Sequence, residues 1–147
     1  RRLIKMAKEI KFVTDEELRK LLKKRKIVVV DFTADWCGPC HGLYDMQIVP
    51  NILPKLKNGE YGEDVAFVKY DVDQSRIREF RKLKNRSIPT VGYYVDGECV
   101  AFSKSNVKGH WKIIDWYLSG NTDLFTDLPK AYEISSNGKL DVYKRRM

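Results

Sequence analysis

Apolar positions in this chain follow two spacings, and the changes between them mark out the elements. Residues 27–30 read Ile-Val-Val-Val and run on into Asp31 and Phe32. That is the length and β-branched composition of a strand buried on both faces. Upstream, Leu18, Leu21 and Leu22 form a stripe at helical spacing. This helix opens on Thr14-Asp15-Glu16-Glu17, a capping box in which Thr14 caps the end and Glu17 reaches back to it. Its last turn, residues 23–26, is basic, which suits the negative end of the helix dipole. Residues 9–13 are expected to form a short edge strand before it. Residues 58–64 read as a polar turn and residues 65–71 as the next strand. Ile77, Phe80 and Leu83 give a second helical stripe with basic residues between them. Residues 91–95 and 98–102 make a hairpin around Asp96-Gly97. Trp111, Ile114 and Leu118 suggest a closing helix, with Gly120 just past its end. Residues 121–147 carry few periodic apolar positions, and Ser135-Ser136-Asn137-Gly138 is turn-like. This stretch either packs back along the sheet or extends toward a partner.

Composition narrows the class. At 147 residues, 43% of them hydrophobic, the chain is the size of one domain with a real core. No apolar run approaches the roughly 20 residues needed to span a bilayer, so no transmembrane segment is expected. The net charge of +8 is uneven: residues 1–30 hold eleven Lys/Arg against four Asp/Glu, and the rest hold seventeen against sixteen. The basic character therefore belongs to the N-terminal arm and first helix. Such a patch can steer acidic partners, lipid headgroups or nucleic acid, with a solvated charged face as the default reading; no nucleic-acid module or aromatic-interleaved basic groove accompanies it, so nucleic acid is not an expected partner. The chain begins Arg1-Arg2 without an initiator Met, which points to a processed leader, organellar or secreted, with a cytoplasmic location as the alternative.

The chemistry sits where the residue 27–32 strand runs out. After the linker 33–35 comes Trp36-Cys37-Gly38-Pro39-Cys40. A Cys-x-x-Cys where a buried strand meets a helix is a redox signature. The unpaired N–H groups of a helix start favour a thiolate at Cys37. Cys40 lies about one turn further on, so the two sulfurs can meet on one face. Pro39 suits the first helical turn, where no partner is needed for its missing N–H. Gly38 allows a tight turn and leaves room for a substrate chain. Half of a zinc site is the competing reading. It needs a second ligand pair, and the remaining Cys99, His41 and His110 do not supply one at a metal spacing, so no metal is expected.

The residues quoted so far carry a resemblance. The chain resembles the thioredoxins: WCGPC is that family's active-site motif, and VDFTADWCGPC is similar to its strand-to-helix segment almost position by position. VAFVKYDVDQS (65–75) resembles the family's third strand, SIPT (87–90) its cis-proline turn, and YYVDGECVAF (93–102) its last hairpin. The resemblance implies an α/β thioredoxin fold, a central mixed β-sheet flanked by helices on both faces, with a C-terminal extension. The expected division is a basic arm at 1–8, the thioredoxin domain at 9–120 and the extension at 121–147. One departure stands out. Many members carry a proline five residues after the second cysteine; here that position is Asp45, and Pro50 and Pro54 come later. The active-site helix is therefore expected to break near Val49-Pro50 and restart briefly, which is similar to secreted and periplasmic thioredoxin-like domains.

Asp31 interrupts an apolar strand, where a carboxylate is costly to bury without a partner or a function. The resemblance implies that it lies behind Cys40 and assists its proton transfer; a water-satisfied polar residue is the alternative. Desolvation should raise its pKa. Lys69 matches the family's lysine opposite that aspartate and either tunes its charge or is an ordinary strand lysine. Pro89 matches the cis-proline facing the disulfide, with Ile88 and Thr90 beside it as the backbone that pairs with substrate. Trp36 matches the shielding wall beside Cys37. His41, where thioredoxins usually carry Lys, is expected to face solvent, and Cys99 to be a small strand residue.

The implied function is protein-disulfide reduction, with Cys37 as nucleophile and Cys40 as resolving cysteine. No cofactor is expected beyond the redox-active Cys37–Cys40 disulfide. The partners implied are disulfide-containing proteins and a thioredoxin-reductase-like electron donor. Two other readings remain. One is an exchanger dedicated to a single partner in one compartment. The other is a thioredoxin-fold subunit of a larger assembly, reached through the basic arm or the C-terminal tail.

Overall fold

The structure, a computed structural model, describes residues 10–74, 88–104, 107, 114–115, 118–119, 131–134 and 140–143. Its centre is β1 (Ile27–Thr33), a strand buried along its whole length. β1 pairs in parallel with β2 (Val65–Asp71) on one side and antiparallel with β3 (Thr90–Val95) on the other. The sheet is therefore mixed. β4 (Glu98–Lys104) returns antiparallel from β3 through Asp96 and Gly97, whose φ angles of 50° and 84° are those of a two-residue primed turn.

The alternation of β1 side chains sorts the core into two layers. Ile27 and Val29 face Leu43, Ile48, Ile52 and Leu53 of the helical segment after β1. Val28, Val30 and Phe32 face Leu18 and Leu22 of α1 (Asp15–Lys24) on the opposite side. Both sheet faces are thus covered, which a strand with no polar face requires. The α1 capping box is formed: Glu17 N–H donates to Thr14 Oγ1 (3.1 Å), and Thr14 N–H donates to Glu17 Oε1 (2.9 Å). The expected edge strand at residues 9–13 contracts to one parallel bridge between Phe12 and Lys69 on the free side of β2.

The segment after β1 departs from the expected break. α2 (Gly38–Leu43) widens into a π-helical turn, Tyr44–Ile48, followed by α3 (Val49–Asn51) and α4 (Leu53–Lys57). Val49 N–H bonds back five residues to Tyr44 O. The ring of Pro50 would collide with the carbonyl four residues before it, and widening the turn relieves that clash while the backbone stays helical. The interruption falls later, at Ile52.

Beyond β4 the sheet continues. β5 (Ala131–Ile134) adds in parallel to β4, and β6 (Leu140–Tyr143) pairs antiparallel with β5, giving the six-stranded order β2-β1-β3-β4-β5-β6. Of the two options for residues 121–147, these eight residues take the sheet. Ile114 is fully buried in the layer that holds the helix after β1, whereas Leu118 of the expected apolar stripe is 39% exposed. The basic arm 1–8, the helical stripe of Ile77, Phe80 and Leu83, Trp111, Gly120 and the turn at 135–138 lie outside the described residues. Among the described residues, no helix is long and apolar enough to cross a membrane.

Candidate active site

At the C-terminal end of β1 the chain turns at once into α2. The Ala34 carbonyl accepts from Cys37 N–H (3.1 Å), which closes the turn. Cys37 is the N-cap of α2 with extended backbone (φ −90°, ψ 100°), and Pro39 occupies the first helical turn. The cap places the Cys37 sulfur over a donor of the helix start: Cys40 N–H donates to Cys37 Sγ (3.2 Å). The Cα atoms are 5.2 Å apart, and the two cysteines form a disulfide. Both are nearly inaccessible, at 3% for Cys37 and 1% for Cys40. Gly38 and Pro39 between them are exposed, and the space where a Gly38 side chain would stand is open.

The start of β3 packs against this corner. The Ile88–Pro89 peptide is cis. Ile88 and Val72 lie against the cluster of Ala34, Cys37 and Cys40, while Pro89 and Thr90 are buried. Trp36, by contrast, is 69% exposed and is held by its indole N–H, which donates to Asp73 (2.8 Å). His41 is exposed, as expected, and its Nε2 donates to the Asp35 carbonyl (2.8 Å). Cys99 is a buried β4 residue on the α1 face of the sheet, outside the cluster that holds Cys37 and Cys40, with its thiol directed to the Ala101 carbonyl (3.5 Å).

Asp31 lies on the α2 side of β1, in register with Lys69 of β2. It is 1% exposed, and neither carboxylate oxygen meets a hydrogen-bond partner among the described residues. Burial pushes its carboxyl up to about 7, and the Lys69 charge pulls in the opposite direction. Lys69 does not close on it. Its Nζ lies against two rings instead, 4.4 Å from the centroid of Phe12 and 4.1 Å from that of Tyr44. A cleft of about 1080 Å³ reaches Asp31, Lys69 and Cys40 together. It gives the buried carboxyl a route to solvent on the Cys40 side of the disulfide.

Of the residues named from sequence, the fold packs Ile88 against Cys37 and Cys40, with Pro89 and Thr90 following it into β3, and brings Cys40, Asp31 and Lys69 onto one cleft. Sequence reasoning missed three. Tyr44 had a signal, since it stands four residues after Cys40 and so shares its helix face. Asp73 had a weaker one, because it follows the C-terminal end of a strand parallel to β1. Phe12 had none apart from its place in an edge segment.

The comparisons agree with this geometry. The family model for Thioredoxin matches residues 9–116. The chain is 40% identical over 102 residues to Thioredoxin-3 of Dictyostelium discoideum, an alignment covering 69% of this chain and 88% of that protein. It is 40% identical over 90 residues to a thioredoxin of Mycoplasmoides gallisepticum, covering 60% of this chain and 81% of the other. Among solved structures, mitochondrial thioredoxin 3 of Saccharomyces cerevisiae in its oxidised form superposes with a TM-score of 0.55 at 27% identity, over 77% of this chain and 97% of that one. Thioredoxin of Plasmodium falciparum gives 0.52 at 29% identity, over 74% and 99%. With the strand-to-helix corner, the paired cysteines and the matched length, the chain belongs to the thioredoxin family and is a thiol–disulfide oxidoreductase.

Proposed function

We propose that the protein works as a protein-disulfide reductase in which Cys37 attacks and Cys40 resolves. The observation that carries the assignment is the asymmetry of the two sulfurs. Cys37 Sγ receives the Cys40 N–H at the helix start, an arrangement that favours a thiolate. Cys40, not Cys37, lines the cleft that leads to Asp31.

In the dithiol form, the Cys37 thiolate attacks one sulfur of a substrate disulfide. A mixed disulfide forms, and the first substrate sulfur leaves as a thiolate that takes a proton from water. The Asp31 carboxylate accepts the Cys40 proton. The Cys40 thiolate then attacks Cys37 Sγ, forming the Cys37–Cys40 disulfide and expelling the second substrate thiolate. The proton on Asp31 leaves through the cleft. Two electrons have passed to the substrate, and a reductase-like dithiol donor returns them to the enzyme. A base with a pKa near 7 is matched to that proton transfer at neutral pH. The cis Ile88–Pro89 turn, running into buried Thr90, backs the disulfide, and the exposed Trp36, Gly38 and Pro39 frame the approach to Cys37 for an extended substrate segment. The Gly-Pro pair between the cysteines resembles the reducing members of the family and supports that direction of flow.

The test is single-turnover reduction of insulin with two variants. Cys40→Ser is expected to accumulate a mixed disulfide through Cys37, and Cys37→Ser to be inert. The reverse pattern would exchange the two roles. Full activity in both variants would remove the pair from the reaction.

A further inference from the structure

We propose that Phe12 and Tyr44 are positioning residues that clamp the Lys69 ammonium with their rings, hold it off the Asp31 carboxylate, and so set the pH at which Asp31 changes charge. The proposal rests on the reading of Asp31 as the base for Cys40 and deepens it.

Lys69 and Asp31 are direct neighbours across the β1–β2 pair. A lysine beside a buried carboxylate with two unmet oxygens would ordinarily form an ion pair. The two do not pair here. The ammonium lies 4.4 Å and 4.1 Å from two ring centroids, well inside the ~6 Å range of cation–π attraction. Both rings are themselves tethered. Phe12 bridges Lys69 through the backbone: Val13 N–H donates to Lys69 O (3.0 Å), and Lys69 N–H donates to Lys11 O (2.9 Å). Tyr44 is held by the π-helical turn, and its hydroxyl accepts from Ile10 N–H (3.3 Å). The edge segment and the active-site helix therefore each bring one ring to the lysine.

Other charged groups border the same cleft. Asp15, Glu16 and Arg19 face it from α1, with Asp15 accepting from the Tyr70 hydroxyl. Asp35 and His41 face it from the start of α2, and Asp71 and Asp73 from the end of β2 and the turn after it. Lys69 is the charged residue in direct register with Asp31 across the β1–β2 pair, and its charge lowers the carboxyl's pKa against the larger upward push of burial. Opening the clamp leaves the carboxylate as its best available partner. The closer positive charge then favours ionised Asp31, and the carboxyl titrates at lower pH.

The experiment is a carbon-13 NMR titration of the Asp31 carboxyl in the oxidised 147-residue chain. Tyr44→Leu is expected to lower the midpoint by about one pH unit, the lower end of what an adjacent opposite charge does. Tyr44→Phe keeps the ring and the π-helical turn that holds it, giving up only the hydroxyl contact to Ile10 N–H, and should move the midpoint less than Tyr44→Leu. Lys69→Met should raise it, and in that background Tyr44→Leu should add no downward shift. A downward shift that persists without Lys69 would mean that water entry, not the lysine, is responsible, and would overturn the proposal. An unmoved or raised midpoint in Tyr44→Leu would do the same. Should that variant fail to fold, Phe12→Leu opens the clamp from its exposed side, with the same signs expected. The pH dependence of mixed-disulfide resolution, measured alongside, separates the two levels. If the midpoint moves and the resolution profile does not, the clamp stands and the assignment of Asp31 as base to Cys40 falls.

Discussion

Replacing Asp31 by Asn turns the burial of this carboxyl into a measurable dependence of stability on pH. In the native state the group titrates at about 7, against 3.8 for an aspartate in water. The displacement is upward, so the sign is opposite to that of an acid held in a salt bridge. Between those two values the native protein keeps a proton that the unfolded chain has lost, and stability falls as pH rises. The contribution is fully present below the unfolded value and gone above the folded one. A tenfold change in proton affinity is worth about 1.36 kcal/mol. The whole span from 3.8 to about 7 therefore amounts to about 4 kcal/mol. Full burial at 1% exposure means that solvent screening takes little from this figure. The asparagine of the variant has no such titration. Its unpaired amide carries its own cost, but that cost does not change with pH. The assay is urea unfolding of the oxidised wild type and Asp31→Asn across about pH 4 to 8, with equal m-values as the check on two-state behaviour. The other titrating groups are common to both proteins and cancel in the difference. The variant is expected to gain about 4 kcal/mol on the wild type over that range. A difference that stays constant within about 1 kcal/mol would show that Asp31 titrates normally in the folded protein, and the reasoning would fail.

Further outcomes follow from single contacts. Gly92→Ala places a Cβ 2.9 Å from Tyr94 Cε1 and 3.2 Å from Phe32 Cε2, two buried rings, and should cost about 1–3 kcal/mol in urea unfolding through overpacking. Thr14→Ala removes the α1 cap and should lower stability by about 1 kcal/mol, whereas Thr14→Ser should retain most of it. Asp73→Ala frees the exposed Trp36 indole; insulin reduction should slow by about fivefold, the equivalent of roughly 1 kcal/mol, with the unfolding midpoint nearly unchanged. An unchanged rate would show that the Trp36–Asp73 contact plays no part in substrate approach.

What could be read from the sequence was what a short segment determines by itself. The buried strand follows from four adjacent β-branched residues, the α1 cap from Thr14 and Glu17, and the cysteine pair from a three-residue spacing at a strand–helix junction. The hairpin follows from two residues able to take positive φ. What stayed hidden depends on segments meeting in space. Pro50 predicts that the helix is disturbed, but whether it breaks or widens depends on the packing of Ile48 and Ile52 into the core, and both are fully buried. Phe12 and Tyr44 belong to separate elements, and neither looks like a site residue until Lys69 lies against both. β5 and β6 are four residues each, too short for their alternation to mark a strand pair in sequence. Strands added at a sheet's edge need only backbone partners, and those leave little trace in sequence.

The same contrast explains why this strand can hold an ionisable group at all. A buried carboxylate weakens the fold at neutral pH, and only a well-packed neighbourhood can offset that. Ile27, Val28, Val29, Val30 and Phe32 flank Asp31 at no more than 1% exposure, and each such side chain contributes about 1.5–3 kcal/mol of burial. Five of them outweigh a penalty of about 4 kcal/mol, so β1 can lose stability at one position and stay buried along its whole length. An ion pair with Lys69 would recover part of that loss, but it would also lower the carboxyl's affinity for a proton, the property a base for Cys40 needs. By engaging the ammonium with Phe12 and Tyr44 instead, the fold satisfies the lysine without neutralising the acid. It follows that Lys69→Met and Tyr44→Leu should move Asp31 in opposite directions, although both remove the same cation–π contact. An account in which the three side chains merely pack together predicts that the two substitutions behave alike.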